Sequence, residues 1–210
     1  MSLLSYKELR LEVVQRNVMT NVPDANINGS SIDVRLGGTI LVEHERPEEL
    51  SYPVVELGAR ESLAFDEVRL QDRSEEGAEP FLLYPGQFIL AQTLETFNLP
   101  LTLSAEFRLK SSVARMGLSH ALAVWCDPGW HGSALTLELH NITQQHVLAL
   151  YAGDKVGQMI FHRHAPVPAE RSYAERGAYN QDRTSQAAKP AVTPPPPAPP
   201  PPPPPGRRKR

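Results

Sequence analysis

Cysteine is almost missing from this sequence of 210 residues, in which Cys126 is the only one. A lone cysteine forms no internal disulfide and has no CxxC partner, which excludes a disulfide-stapled fold and a thiolate zinc site. Long hydrophobic runs are missing too, since FILAQTL and ALAVWC are far shorter than the roughly 20 residues that span a bilayer. Met1 is not followed by a basic and then apolar leader. We therefore predict a protein of the reducing cytoplasm with no membrane association.

Positive charge is scarce in the body of the chain. The formal net charge is −3, and the closing GRRKR supplies four positive charges, so the rest of the chain carries −7. Such a body lacks the basic surface that displaces counterions from nucleic acid, and we predict no nucleic-acid partner. Binding of an anion would need a local group of cations or the help of a metal ion.

Proline is concentrated near the C-terminus, where residues 190–205 contain 12 of the 21 prolines. Because proline fixes φ and removes a backbone donor, this segment is predicted to be an extended polyproline rod outside the fold. We place a folded domain at residues 1–183 and a disordered proline-rich tail with a basic end at residues 184–210. The tail either binds a proline-recognising module or only keeps the protein soluble, and its composition leaves both open.

The body is predicted to begin with one helix and to continue as β-strands. In SYKELRLEVVQ, Leu9 and Val13 recur at helical spacing behind Ser5, which is suited to cap the first turn. Short alternating apolar segments follow, separated by turn signals such as YPGQ and DPGW. This pattern predicts an all-β domain, either a sandwich, a barrel or a jelly roll, in which loops at the strand ends carry the chemistry.

The segment KSSVAR is the first candidate for chemistry. It contains Lys110, Ser111, Ser112 and Arg115. An Arg fork, a Lys point charge, two hydroxyls and the backbone N–H groups together suit a phosphate chain. Serines beside basic residues are also common on solvated surfaces and at helix starts, so this segment alone does not distinguish phosphate binding from capping.

The second candidate is Glu138, which interrupts the leucine-rich strand ALTLEL. A buried carboxylate either pairs with a cation or shifts its pKa upward, and both outcomes suit a general acid or base. The alternative is a strand with one wet face, from which Glu138 points into solvent. The local pattern leaves both interpretations open.

The seven histidines show no spacing typical of a metal site. His162 and His164 would share one strand face, but no third ligand stands at a recognisable distance. The HxE and PCxxC motifs by which zinc deaminases generate hydroxide are also missing. We therefore predict no metal ligands and no zinc, so that side chains would activate water in any hydrolytic step.

Five segments in order resemble the dCTP deaminase family of the dUTPase-like superfamily: NINGSSIDVRLG, FLLYPGQFILAQTLETFNLP, LKSSVARMGL, WCDPGWHGSALTLELHN and AGDKVGQMIF. The resemblance covers about residues 5–181. It implies a distorted β-barrel or jelly-roll subunit in a homotrimer with active sites at the subunit interfaces. It also implies hydrolysis of dCTP to dUTP and ammonia without zinc, with Mg²⁺ accompanying the triphosphate.

The resemblance also implies roles for individual residues. Glu138 would carry protons between the attacking water and cytosine, while Ser111 and the carbonyl of Ala123 hold that water and Arg115 lies near the carboxylate. Asp127 would receive the sugar 3′-hydroxyl. The substrate-binding positions implied in this way are Lys110, Ser111, Ser112, Arg115, Asp127, Thr136, Leu137, Tyr173 and Gln181.

The chain departs from the family pattern at two places. Glu138 stands one residue further from Asp127 than the family's Glu does, so we predict a β-bulge within residues 132–135 that restores its face. Near the end of the body, Ala178 stands where the family has a Lys. Candidate replacements for that cation are Arg176 and Arg183.

Two other interpretations compete with a deaminase that releases dUTP. One is a bifunctional enzyme that gives dUMP and pyrophosphate, in which Asp127 orients a second water toward the α-phosphate. The other is a catalytically idle nucleotide-binding protein that is tethered to partners through its proline tail.

Overall fold

The computed structural model describes residues 2–44, 55 and 63–189. The strands are β1 (Ser2–Leu3), β2 (Ile32–Arg35), β3 (Thr39–Glu43), β4 (Phe65–Arg69), β5 (Phe81–Leu83), β6 (Phe88–Asn98), β7 (Leu103–Leu109), β8 (Leu118–His120), β9 (Trp125–Cys126), β10 (His131–Asn141), β11 (Leu148–Leu150) and β12 (Lys155–Arg163). The helical segments are α1 (Tyr6–Glu8), a π-helix (Leu9–Val14), α2 (Ser111–Ala114), α3 (Tyr173–Arg176) and two 3₁₀ turns at Asp24–Asn26 and Ala169–Arg171. None of the described helices is long and apolar enough to cross a bilayer.

The predicted N-terminal helix is present, and most of it is π-helical. Leu9 and Val13 are fully buried, as their spacing predicted. The carboxylate of Glu8 accepts hydrogen bonds from the backbone N–H and the hydroxyl of Ser5, at 2.9 and 2.8 Å. This contact closes the first turn and satisfies a donor that a helix start leaves unpaired.

Two five-stranded antiparallel sheets form the body. One has the order β1-β12-β7-β9, with β2 also paired to β12, and the other has the order β4-β3-β6-β10-β8. Strands β11 and β5 form a separate pair. Both large sheets contribute to a single core, in which Phe97, Phe107 and Phe161 are fully buried. The predicted all-β fold class is confirmed.

The pairing of β10 with β6 contains the predicted bulge. The register shifts between His131 and Ser133, where Gly132 is the extra residue and has a φ of +68°. The register shifts again between Ala134 and Thr136. From there Glu138 pairs with Leu90, and β10 continues in regular register. The prediction of a bulge within residues 132–135 is confirmed.

The chain stays packed on the body beyond residue 183, where we placed the end of the folded domain. Ser185 is buried, and its N–H and hydroxyl donate to the amide oxygen of Gln92. The N–H of Gln186 donates to the hydroxyl of Thr136 on β10 at 3.3 Å. The packed part therefore extends at least to Lys189. The predicted polyproline rod, residues 190–210, lies outside the described residues.

Candidate functional site

A cavity of about 540 Å³ lies beside β10 on the face that carries Glu138. This volume is within the roughly 300–1,000 Å³ typical of small-molecule sites. Five of the predicted site residues line it, namely Ala123, Asp127, Thr136, Glu138 and Tyr173. Its apolar walls include Phe65, Phe88, Leu90 and Trp130. Apolar walls with a few polar groups suit a flat ring whose edge is hydrogen-bonded.

Glu138 points into this cavity, and the alternative in which it points into bulk solvent from a wet strand face is wrong. Its side chain is 25% exposed, and its Oε2 lies 3.1 Å from Nε2 of His120. The carbonyl oxygen of Glu138 accepts a hydrogen bond from the N–H of Ala121 at 3.0 Å. The carboxylate is therefore held at the edge of β8, where a small ligand can reach it.

Asp127 lies at the turn that follows β9. The indole N–H of Trp125 donates to its Oδ1 at 3.0 Å, which orients the carboxylate. The turn depends on Gly129, whose φ is +87° and whose added Cβ would lie 2.9 Å from Cβ of Ser172. This close approach brings the C-terminal segment against the turn, and the N–H of Tyr173 donates to the carbonyl of Pro128 at 2.8 Å.

Tyr173 forms part of the cavity wall on that side. Burial raises the pKa of its hydroxyl above the ordinary value, so the group is a neutral hydrogen-bond donor near pH 7. Its ring packs on Gly177, where an added Cβ would lie 2.1 Å from the ring carbons. The chain can therefore turn back over the ring only with a glycine there.

The KSSVAR segment lies away from the cavity. Ser111, Ser112 and Arg115 are exposed on or next to the one-turn helix α2, and none of the three lines the cavity. The guanidinium Nε of Arg115 donates to the Ser111 hydroxyl at 3.3 Å. Within this single chain, Ser111 does not reach the cavity where it was predicted to hold the water, and Arg115 does not lie near the Glu138 carboxylate there.

Lys110 of the same segment is held by a buried carboxylate. Its Nζ lies 2.7 Å from Oδ1 of Asp33, while Nζ of Lys155 lies 3.4 Å from Oδ2. Asn28 donates to Oδ1 at 2.9 Å. Burial alone would raise the pKa of Asp33, but the hydrogen bonds from these three side chains outweigh it, and its pKa lies below the ordinary value. Two cations are thus fixed next to the serine pair by one charged aspartate.

Two predicted binding residues do not present their side chains to the cavity. Leu137 is fully buried in the core, on the opposite face of β10 from Glu138, so only its backbone is able to contact a ligand. Gln181 is exposed, with a φ of +62°, and packs over Gly132. The neighbouring Asp182 lines the cavity in its place.

The structure also places a lysine where the sequence pattern lacked one. Nζ of Lys189 lies 3.0 Å from the carbonyl oxygen of Ala178 and 2.5 Å from Oδ2 of Asp182. It is also 5.0 Å from the centre of the Tyr179 ring. Lys189 fell within the predicted tail, because the run of prolines after it hid the packed residues, and Arg176 and Arg183 were the predicted replacements for this cation.

Across the described ranges, no three His, Cys, Asp or Glu side chains are grouped in a way that could hold a metal ion. Three carboxylates line the cavity, from Asp127, Glu138 and Asp182. No Lys or Arg is found among the described residues that line it. Since Lys189 pairs with Asp182, the described lining of the cavity in this one chain keeps two carboxylates without a Lys or Arg partner, those of Asp127 and Glu138.

The family model and the similar proteins all indicate one family. A family model described as dCTP deaminase-like matches residues 3–164. The dUMP-forming dCTP deaminase of Acidothermus cellulolyticus is 39% identical over 174 residues, which cover 81% of this chain and 84% of that protein. The dUMP-forming dCTP deaminase of Mycolicibacterium smegmatis is 33% identical over 191 residues, which cover 90% and 95% of the two chains.

A solved structure has the same fold. The crystal structure of 2′-deoxycytidine 5′-triphosphate deaminase from Agrobacterium tumefaciens matches with a TM-score of 0.55 and 20% sequence identity. The match covers 76% of this chain and 48% of that chain, so this chain spans about half of the solved one. From the matched family model and the identity to these relatives, we conclude that the chain belongs to the dCTP deaminase-like family.

Proposed function

We propose that this protein deaminates dCTP and then cleaves the triphosphate, so that ammonia, pyrophosphate and dUMP are released. The observation that carries the proposal is one cavity that presents Glu138 and Asp127 together, which provides a carboxylate for each step. The dUMP-forming relatives favour this two-step outcome over the dUTP product that the resemblance first implied. The idle nucleotide-binding alternative has less support, because Glu138 faces the cavity despite the extra residue before it.

In the first step, Glu138 acts as the proton carrier. As the water oxygen bonds to C4 of cytosine, the carboxylate takes a proton from it and passes it to N3. Glu138 then carries the proton of the new C4 hydroxyl to the 4-amino group, the C4–N bond breaks, and ammonia leaves as the C4 carbonyl forms. The carbonyl of Ala123, which also lines the cavity, would accept a hydrogen bond from the water. General acid–base help of this kind is worth on the order of 10²- to 10⁴-fold in rate.

In the second step, Asp127 would orient a water toward the α-phosphorus. The water oxygen bonds to that phosphorus, the bond from the α-phosphorus to the bridging oxygen breaks, and pyrophosphate leaves. Trp125 holds one carboxylate oxygen of Asp127, which restricts its rotation during the reaction. Mg²⁺ would enter as part of the substrate, bound to the triphosphate oxygens.

The acidic cavity favours a site that two subunits complete. A triphosphate is a polyanion, and among the described lining residues of one chain it would meet three carboxylates, of which Asp182 alone has a lysine beside it, Lys189. The cations of the KSSVAR segment are instead exposed or held on another part of the surface. We therefore propose a homotrimer in which Lys110, Ser111, Ser112 and Arg115 of one subunit face the cavity of the next.

Product analysis tests the proposed function. Purified protein with dCTP and Mg²⁺ should release ammonia and pyrophosphate in equal amounts, with dUMP as the nucleotide product. Accumulation of dUTP without pyrophosphate would support the single-step deaminase, and nucleotide binding without ammonia release would support the idle protein. The E138Q variant should bind dCTP but release no ammonia, while its pyrophosphate release from added dUTP is retained.

A further inference from the structure

His120 is a buried histidine to which the sequence pattern assigned no role. It ends β8, and only 2% of its side chain is exposed. Its ring lies against Phe107, with the ring centres 4.8 Å apart and the planes at 45°. Packing on this scale fixes the position of the ring, and the ring edge carrying Nε2 comes within 3.1 Å of Glu138.

The hydrogen bonding of His120 determines which nitrogen carries the proton. The backbone N–H of Leu122 donates to Nδ1 at 3.1 Å, so Nδ1 accepts and has no hydrogen of its own. In the neutral ring the hydrogen is then on Nε2, which faces Oε2 of Glu138. Leu122 has a φ of +65°, a strained conformation that aims its N–H back at the ring.

Nε2 of His120 and Oε2 of Glu138 are both buried, and neither forms a hydrogen bond with any other described group. They are 3.1 Å apart, yet the N–H does not point at the oxygen well enough for a full hydrogen bond. A buried donor and a buried acceptor that face each other in this way are costly unless they pair. Catalytic hydrogen bonds of ligand-free enzymes are often long or misaligned, and they tighten when substrate binds.

We propose that His120 is a positioning residue for Glu138: its Nε2–H binds Oε2 and so turns Oε1 toward the water that attacks C4. This inference rests on the role of Glu138 in the proposed deamination. His120 does not serve as a second proton donor, because a proton on Nδ1 would collide with the N–H of Leu122. A histidine with only a packing role would leave Nε2 without this neighbour.

Two substitutions separate the two hydrogen bonds of the ring. In H120Q, the side-chain amide reaches the place of Nε2 and keeps a donor for Glu138, while the acceptor for Leu122 is lost. In H120N, the amide oxygen keeps an acceptor near the place of Nδ1, while the donor for Glu138 is lost. His44 is exposed and contacts Asp66, and both residues are far from His120 in the sequence. H44N is therefore the matched control.

The readouts are ammonia release from dCTP and pyrophosphate release from added dUTP. We expect H120N to lower kcat for ammonia release on the order of 100-fold with KM little changed, because Glu138 loses its orientation. H120Q should stay within about fivefold of wild type, since it keeps the donor. Pyrophosphate release from dUTP by H120N should stay within about twofold, because that step does not use Glu138.

Three results would overturn the proposal. One is equal loss of both activities in H120N, another is H120Q falling as far as H120N, and the third is ammonia release by H120N at the wild-type rate. Thermal unfolding of each variant, compared with H44N, shows whether the fold is kept. If H120N does not fold, H120M, which fills the space without a donor, takes its place with the same expected loss of ammonia release, and loss of that activity in a folded H120Q refutes the role of the donor. Failure of the proposed function is seen separately, as wild-type protein that releases no ammonia, or no pyrophosphate from dUTP.

Discussion

Mixing two inactive variants tests whether the site is shared between subunits. E138Q removes the carboxylate that lines the cavity, and R115A removes a cation on the exposed segment that does not line it. If each site takes Glu138 from one subunit and Arg115 from its neighbour, each variant alone has every site damaged. A mixed trimer, however, has some interfaces at which both intact groups meet.

The expected recovery follows from which subunit supplies Glu138 and which supplies Arg115 at each site. A site is intact only where an R115A subunit, with its normal Glu138, meets the proper face of an E138Q subunit, with its normal Arg115. In a random one-to-one mixture each condition holds for half of the subunits, so about a quarter of the sites are intact. Ammonia release should therefore return to about a quarter of the wild-type rate per subunit.

The assay is ammonia release from dCTP after the two variants are unfolded together, refolded and compared with each variant refolded alone. The matched control is a mixture of E138Q with H120N, because His120 contacts Glu138 within one subunit. That pair should release no more ammonia than H120N alone, since no arrangement of the two subunits restores a Glu138 with its own His120. No recovery in the mixture of E138Q with R115A, in trimers shown by mass to be mixed, would refute the shared site.

Three further results are expected. G132A should lower the free energy of unfolding by about 1–2 kcal/mol in urea titrations. The bulge holds this residue at a φ of +68°, and an added Cβ would lie 3.3 Å from Gln181, so unchanged stability would contradict the strained bulge. W125F should lower kcat for pyrophosphate release from added dUTP about 2- to 10-fold in steady-state assays, because Asp127 loses the indole N–H that orients it; an unaltered kcat would show that this hydrogen bond does not orient the carboxylate. D33N should destabilise the fold by about 1–3 kcal/mol at pH 7, since two lysines lose their charged partner. The folded pKa of Asp33 lies below its ordinary value of 3.8, so the stabilisation by Asp33 is present above pH 3.8 and is lost as the pH falls through the folded pKa. The free energies of unfolding of wild type and D33N should therefore converge in acid, and a difference that stays constant with pH would refute this.

Local rules on sequence periodicity predicted part of the fold well. The spacing of Leu9 and Val13 predicted their burial on one helix face, but the π-helical hydrogen bonding was not visible, because a stripe of apolar residues is compatible with either helix. The bulge at Gly132 was predictable because one extra residue would otherwise have turned Glu138 to the core. Strand alternation also explains why Leu137 is buried in the core, since its neighbours on both sides face the cavity.

The parts of the site that sequence reasoning missed depend on individual side-chain contacts. His120 and Trp125 act through a single ring nitrogen each, and no spacing rule connects them to Glu138 or Asp127. Lys189 was missed for another reason, since the composition of the prolines after it placed it in the tail. Phosphate binding by the KSSVAR residues stays a prediction, because a sequence does not reveal on which subunit a ligand meets them.

The carboxylates of the cavity affect when a newly made subunit can bind nucleotide. In the proposed trimer, a solitary chain would lack the neighbouring subunit's KSSVAR cations at its cavity, so it would bind a nucleoside triphosphate poorly before assembly. Assembly would then be the event that switches on turnover, and activity per subunit should fall when the protein is diluted below the concentration at which the trimer dissociates.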